Sequence, residues 1–291
     1  MTKDMTSEPS ERREDIFTST LDTPQPAPRL SRFKAVPLRV LIPNVVTLIA
    51  LCAGLTSLRM AFEGRIEMAV YCILAAAILD GVDGRLARML GGTSKFGAQL
   101  DSLADFFNFG VAPAILLYVW SMHDLKSLGW IAVLIFAISG ALRLARFNVA
   151  LDDADRPAFT DHFFIGVPAP AGAGLALLPI YLGQLGAPSL PHIGPLFVVV
   201  YCLVIGGLMV SRLPTWSPKK LGTKVDREWI APLFFGTVLL VALLVAYTWE
   251  VLSLISMAYL ASLPFAWRRY KRLKAQHSAE AASAALPQAP A

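Results

Sequence analysis

The chain has 291 residues, 55% of them hydrophobic and only 16% charged, with a mean hydropathy of +0.56. That composition excludes an ordinary soluble domain and points to a polytopic membrane protein. The net charge of +5 does not indicate a nucleic-acid partner, because Lys and Arg gather at the ends of apolar runs rather than on one polar surface.

Residues 1–28 are polar and rich in acids, Ser, Thr and Pro, so a disordered tail is expected there. Residues 29–40 contain RLSRFKAVPLR, a basic juxtamembrane segment that suits an anionic leaflet or serves as a plain linker. No cleavable signal peptide is expected, since the first apolar stretch begins near Val40 and is too long. Eight spans are predicted, at 41–62, 66–90, 96–122, 128–150, 165–183, 193–210, 229–249 and 251–267. They form an all-α helix bundle whose transmembrane domain is 41–267. A basic and then low-complexity tail, 268–291, follows, and its part from Ser278 onward is expected to be disordered.

The basic residues of 29–39, 85–95, 143–156, 212–227 and 268–274 fall on one side of this layout, against Arg59, Arg65 and Lys126 on the other. The positive-inside rule then places both termini in the cytoplasm. Cys52, Cys72 and Cys202 lie in apolar segments without zinc-like spacing and read as small core residues.

The first span opens with Ile42-Pro43-Asn44 and Thr47, with the proline suited to a first helical turn. Asn44 is either a local cap or a residue facing a ligand. The second and third spans carry the chemistry, in DGVDGRLARMLGGTSKFGAQLDSLAD at 80–105. Asp80 and Asp83 are three apart and share a helix face; Asp101 and Asp105 are four apart and share the next. A turn at Gly91-Gly92-Thr93-Ser94 brings the two faces together as an oxygen-only pocket.

An unpaired Asp in mid-span costs about 3 kcal/mol, so four cost on the order of 10 kcal/mol unless something offsets them. Oxygen ligands suit hard divalent cations such as Mg²⁺ or Mn²⁺, and two such ions can hold a pyrophosphate. Gly81, Gly84 and Ala87 lack bulk on or beside this face, and Arg88 offers a planar fork to phosphate oxygens. The alternative is that the acids cap helices or pair with Arg85, Arg88 and Lys95.

The fourth span ends in SGALRLARFNV, with Arg143 and Arg146 on one face. They either snorkel to the interface or bind an anionic group beside the hairpin, where Asn148 adds a hydrogen bond. The acidic loop 151–162 reads as a solvated face. FFIGVPAPAGAG at 163–174 predicts a kinked span whose small residues serve packing or line a lipid-entry groove. Lys219, Lys220 and Lys224 in the 211–228 loop suit anionic headgroups. The last two spans have no ionisable group except Glu250 and read as scaffold.

The order Asp80, two residues, Asp83-Gly84, two residues, Ala87-Arg88, eight residues, Gly97, three residues, Asp101, three residues, Asp105 resembles the signature of the CDP-alcohol phosphatidyltransferases. The resemblance implies that Asp80, Asp83, Asp101 and Asp105 hold two metal ions, with Asp105 also the general base. It implies CDP-diacylglycerol contacts at Gly84, Ala87, Arg88 and Gly97, joined by Asn44 and Thr47. The motifs at 42–55, 101–114, 141–149 and 165–174 are similar to those of bacterial members that use L-serine.

The implied reaction gives phosphatidylserine and CMP, in a homodimer of the bacterial inner membrane. Arg143, Arg146 and Asn148 are then the acceptor-binding candidates. Glycerol 3-phosphate, an inositol phosphate or choline are alternative acceptors, with the arginines favouring an anionic one. A cation- or proton-coupled transporter is the reading outside the family, although no second acidic hairpin is found.

Overall fold

The computed structural model describes residues 38–92, 94–151, 163–186, 194–211, 213–216 and 227–284. The readings made for 1–37, for the acidic loop and for Lys219, Lys220 and Lys224 lie outside these residues.

Helix α1 (Leu38–Phe62) packs antiparallel to α2 (Ile66–Met89). It starts three residues earlier than expected, so Pro43 lies inside the helix rather than in its first turn. Proline has no N–H to give the carbonyl four residues back, which is that of Arg39. The Arg39 oxygen instead lies against Gly92, in the space a Cβ would need.

Helix α2 ends by glycine geometry. Gly91 takes a left-handed φ of 58°, its N–H donates to Arg88 O at 3.3 Å, and Gly92 N–H donates to Ala87 O at 3.0 Å. These two bonds satisfy carbonyls that the last turn would leave open. Helix α3 (Lys95–Asp105) then begins on Ser94, whose hydroxyl accepts from Gly97 N–H at 2.9 Å.

The third span continues without a break through a π-helical segment (Phe106–Val111) into α4 (Ala112–Trp120). The wider turn begins directly after Asp105 and buries Asn108, Phe109 and Gly110. A short 3₁₀ turn (Met122–Leu125) leads to α5 (Ser127–Leu151).

The predicted fifth span is corrected in both its start and its continuity. Phe163–Ile165 is a strand, β1, paired antiparallel with β2 (Pro214–Trp216), an addition to an otherwise all-helical fold. Helix α6 (Ala169–Ala176) follows Pro168, and the chain breaks at Leu177 before α7 (Leu178–Gln184). Pro179 cannot donate to the carbonyl of Leu175, which explains the break. The small residues of α6 serve packing: Gly172 and Ala173 are buried, and a Cβ on Gly172 would lie 2.6 Å from the Met209 sulfur.

Helices α8 (Gly194–Val210), α9 (Arg227–Ala246) and α10 (Thr248–Ala284) complete the order. Helix α10 runs through the basic stretch to Ala284, so 278–284 are helical rather than disordered. Ala, Lys, Arg, Gln and Glu in that stretch are strong helix formers.

Among the described residues, four helices, Leu38–Phe62, Lys95–Trp120, Ser127–Ala150 and Thr248–Arg269, are long and apolar enough to cross a membrane, and Gly194–Val210 and Ala231–Ala246 are shorter apolar helices. Helix α2 is continuous, but its apolar run is interrupted by Glu67, Asp80, Asp83, Arg85 and Arg88. The molecule is a multi-pass helical membrane protein. Its core gathers Phe109, Leu116, Leu117, Phe136, Leu177, Ile180 and Ile205 from four helices, the π segment and the α6–α7 break. All three cysteines are free. Cys202 is buried, Cys72 half-buried and Cys52 exposed, so the core reading holds fully for Cys202 alone.

Candidate functional site

The hairpin of α2 and α3 is braced by the first turns of α1. At the turn, Gly92 admits the Arg39 carbonyl. One helical turn on, a Cβ on Gly97 would lie 2.7 Å from Asn44 Oδ1 and 3.1 Å from Ser94 Oγ. Deeper in, the Thr47 hydroxyl donates to Asp83 Oδ2 at 2.6 Å. Asn44 therefore sits in the interior of α1 against α3, and it does not cap α1.

The four aspartates divide into three and one. Asp80, Asp101 and Asp105 each offer a carboxylate oxygen within 4.8 Å of the others. Asp80 and Asp105 approach to hydrogen-bond contact. Asp83 stands outside this group, 3% exposed and occupied by Thr47, yet within electrostatic reach of Asp80 and Asp101.

The residues fit a hard divalent cation. The donor set is oxygen only, and Asp105 Oδ1 is buried with no hydrogen-bond partner. The buried guanidinium of Arg143 lies within electrostatic reach of Asp105, and one positive charge leaves the four neighbouring aspartates with a surplus of negative charge. Beside the acids, a Cβ added at Gly81 or at Gly84 would meet nothing within 4 Å, so open space borders this stretch of α2. Ala87 is half-buried and Arg88 exposed.

The two arginines of α5 part company. Arg143 is 9% exposed, stacks over the Phe147 ring at 5.4 Å and feels both Asp105 and Tyr259. Arg146 is exposed and donates to the Val210 carbonyl at the end of α8. Asn148 Nδ2 donates to Ser102 Oγ at 3.0 Å, which ties α5 to α3 beside Asp101.

Two residues near the site escaped the sequence reading. Tyr259 comes from α10, read as scaffold, and no local pattern singles it out. Asn108 is 1% exposed on the π segment, and its Oδ1 fills the place a side chain would take at Gly54. A polar residue inside a predicted span was the available signal for Asn108.

Apolar helices around a carboxylate cluster, with the buried Arg143 and open backbone beside it, define a membrane-embedded protein whose oxygen-only donors fit a hard cation. Residues 40–206 match the family described as CDP-alcohol phosphatidyltransferase, and 228–264 match CDP-alcohol phosphatidyltransferase 2. The chain belongs to the CDP-alcohol phosphatidyltransferase family and is a phosphatidyltransferase, as the motif spacing implied.

Its relatives include the CDP-diacylglycerol–serine O-phosphatidyltransferase of Mycobacterium leprae, 40% identical over 251 residues, covering 84% of this chain and 80% of the relative. The protein of that name from Mycobacterium tuberculosis is 39% identical over 241 residues, covering 81% of each. The one from Helicobacter pylori is 34% identical over 220 residues, covering 76% of this chain and 88% of the relative.

Proposed function

We propose that this chain transfers a phosphatidyl group from CDP-diacylglycerol to the hydroxyl of L-serine, releasing CMP. Serine is the acceptor in the names of the relatives, which align over most of their length. The chemistry is supported above all by the convergence of Asp80, Asp101 and Asp105 oxygens beside open glycines. Asp80, Asp83, Asp101 and Asp105 would hold Mg²⁺ or Mn²⁺, two ions in this reading, which supply neutralisation of the pyrophosphate and a more electrophilic phosphorus.

The chain's own groups do the rest. Gly81 and Gly84 leave room for the pyrophosphate to approach α2, with Ala87, Arg88, Gly97 and Asn44 completing the CDP-diacylglycerol site. Arg143 grips the serine carboxylate, and Asn148 holds the adjoining wall through Ser102. A serine hydroxyl is a poor nucleophile at neutral pH and needs a base. Asp105 accepts its proton, the oxygen bonds to the β-phosphorus, and the bond to the CMP oxygen breaks as CMP leaves with the electron pair.

In the same reading the catalytic domain is 41–267, flanked by 1–28, 29–40 and 268–291. It crosses a bacterial inner membrane eight times with both termini and the hairpin in the cytoplasm. The support is the bias of Lys and Arg to one side. A homodimer rests on the family resemblance.

The test supplies the purified protein in vesicles with CDP-diacylglycerol, Mn²⁺ or Mg²⁺, and labelled serine, glycerol 3-phosphate, inositol phosphate or choline. Labelled lipid is expected from serine alone; preferential labelling from another acceptor overturns the assignment. Single cysteines at Thr93 and Ser278, in a chain lacking the native three, should react only from the cytoplasmic side. Reaction from outside intact cells overturns the topology.

A further inference from the structure

We infer that Thr47 is a positioning residue that orients Asp83 for cation binding, rather than a contact to the nucleotide. The inference rests on the proposed role of Asp83 as a cation ligand. Thr47 on α1 and Asp83 on α2 lie 36 positions apart in the chain, yet their oxygens approach to 2.6 Å. That length is the range of a hydroxyl donating to a charged carboxylate, about 2.5 to 2.7 Å. Both residues are enclosed, at 5% and 3% exposure.

A threonine hydroxyl carries a single proton. Here Asp83 Oδ2 is its nearer acceptor, with the Pro43 carbonyl of its own helix further off at 3.1 Å. Thr47 therefore has no proton left for a bound nucleotide, and its burial keeps it from one. The bond to Oδ2 fixes the direction in which the Asp83 carboxylate presents its remaining lone pairs to a cation. Groups that hydrogen-bond to ligating carboxylates fix ligand direction, and their loss typically weakens metal affinity about 10- to 100-fold.

The placement of Thr47 is itself fixed. The Arg39 carbonyl against Gly92 and Asn44 against Gly97 hold the start of α1 on the hairpin. Branching at Cβ restricts the rotation of Thr47 within its helix. Asp83 also needs this help more than its neighbours do, because it lies outside the group whose oxygens converge without it.

The experiment measures Mn²⁺ binding to the detergent-purified protein without lipid substrate, by the paramagnetic resonance signal of free Mn²⁺. Thr47→Val keeps the shape and removes the hydroxyl, Thr47→Ala removes both, and Thr47→Ser keeps the hydroxyl. Val and Ala should each weaken Mn²⁺ affinity about 10- to 100-fold, Ser should restore most of it, and the KM for CDP-diacylglycerol at saturating Mn²⁺ should not move. In an Asp83→Asn chain, Thr47→Val should add no further loss.

Wild-type Mn²⁺ affinity in Thr47→Val, or a Ser variant as weak as Val, overturns the inference, as does a raised KM for CDP-diacylglycerol with unchanged Mn²⁺ binding. Asp83→Asn separates the two levels. If it weakens Mn²⁺ binding while Thr47→Val does not, the positioning role alone fails. If Asp83→Asn binds Mn²⁺ like the wild type, the ligand role of Asp83 fails with it.

Discussion

Helices α1 and α9 are both apolar, and the molecule uses them in opposite ways. Helix α1 buries Pro43, Thr47, Ala50, Gly54, Ser57 and Ala61, a stripe repeating every three or four residues. Its larger residues, including Leu48, Ile49 and Leu55, point outward. Helix α9 is exposed at every position from 231 to 243, Phe234 and Phe235 included, and packs mainly on α10. Lipid is as apolar as leucine, so hydrophobicity does not choose which helix face packs. Small residues that allow backbone approach, and polar groups that need partners, make that choice. The acidic site is therefore built where the side chains are smallest.

The comparison is broken most forcefully at the base. Asp105→Asn should lower turnover about 10²- to 10⁴-fold while CDP-diacylglycerol and Mn²⁺ binding survive. Parallel loss of binding and turnover, measured by steady-state kinetics beside Mn²⁺ titration, would instead make Asp105 chiefly a ligand. The arginines of α5 come next. Arg143→Ala should raise the KM for serine about 10- to 100-fold, the 1.5 to 3 kcal/mol of a charged hydrogen bond. Arg146→Ala should leave serine KM near wild type, because its partner is the Val210 carbonyl. Equal effects from the two would erase the distinction drawn between them.

Packing is tested at Gly54. A Cβ there occupies the position of Asn108 Oδ1, so Gly54→Ala should cost about 1 to 3 kcal/mol of stability, read as a lower midpoint of thermal unfolding in detergent. Asn108→Ala in the same chain should recover part of that loss. The smallest effect is expected on α9, where Phe234→Leu and Phe235→Leu should each stay within about 0.5 kcal/mol. A large destabilisation there would show that α9 meets protein rather than lipid.

Much of the site was legible because charge is expensive in a membrane. Four aspartates spaced by three and four residues announce themselves, and so does the glycine turn between them. Spacing of that kind reports a shared helix face and stops there. Asp80 and Asp83 satisfy it equally, yet one joins the cluster and the other is taken by Thr47. Arg143 and Arg146 likewise share a face, while their long side chains end on different partners. The same limit hid Tyr259 on α10, and nothing in FFNFGV marks the π turn that follows Asp105.

By itself the sequence determined that this chain lives in a membrane and gathers carboxylates on a helical hairpin, an arrangement that suits a hard cation and a phosphate ester. Those conclusions need only local periodicity and the cost of burying charge. The tertiary structure alone decided that α1 braces the hairpin through Arg39, Asn44 and Thr47, that the acids split into three and one, and that α10 reaches the site. The carbonyl freed by Pro43 shows the physical reason. Its loss of an internal bond is written in the sequence, but its contact with Gly92 depends on the rotation and closeness of two helices. Those two quantities are set by all the side chains between the helices at once.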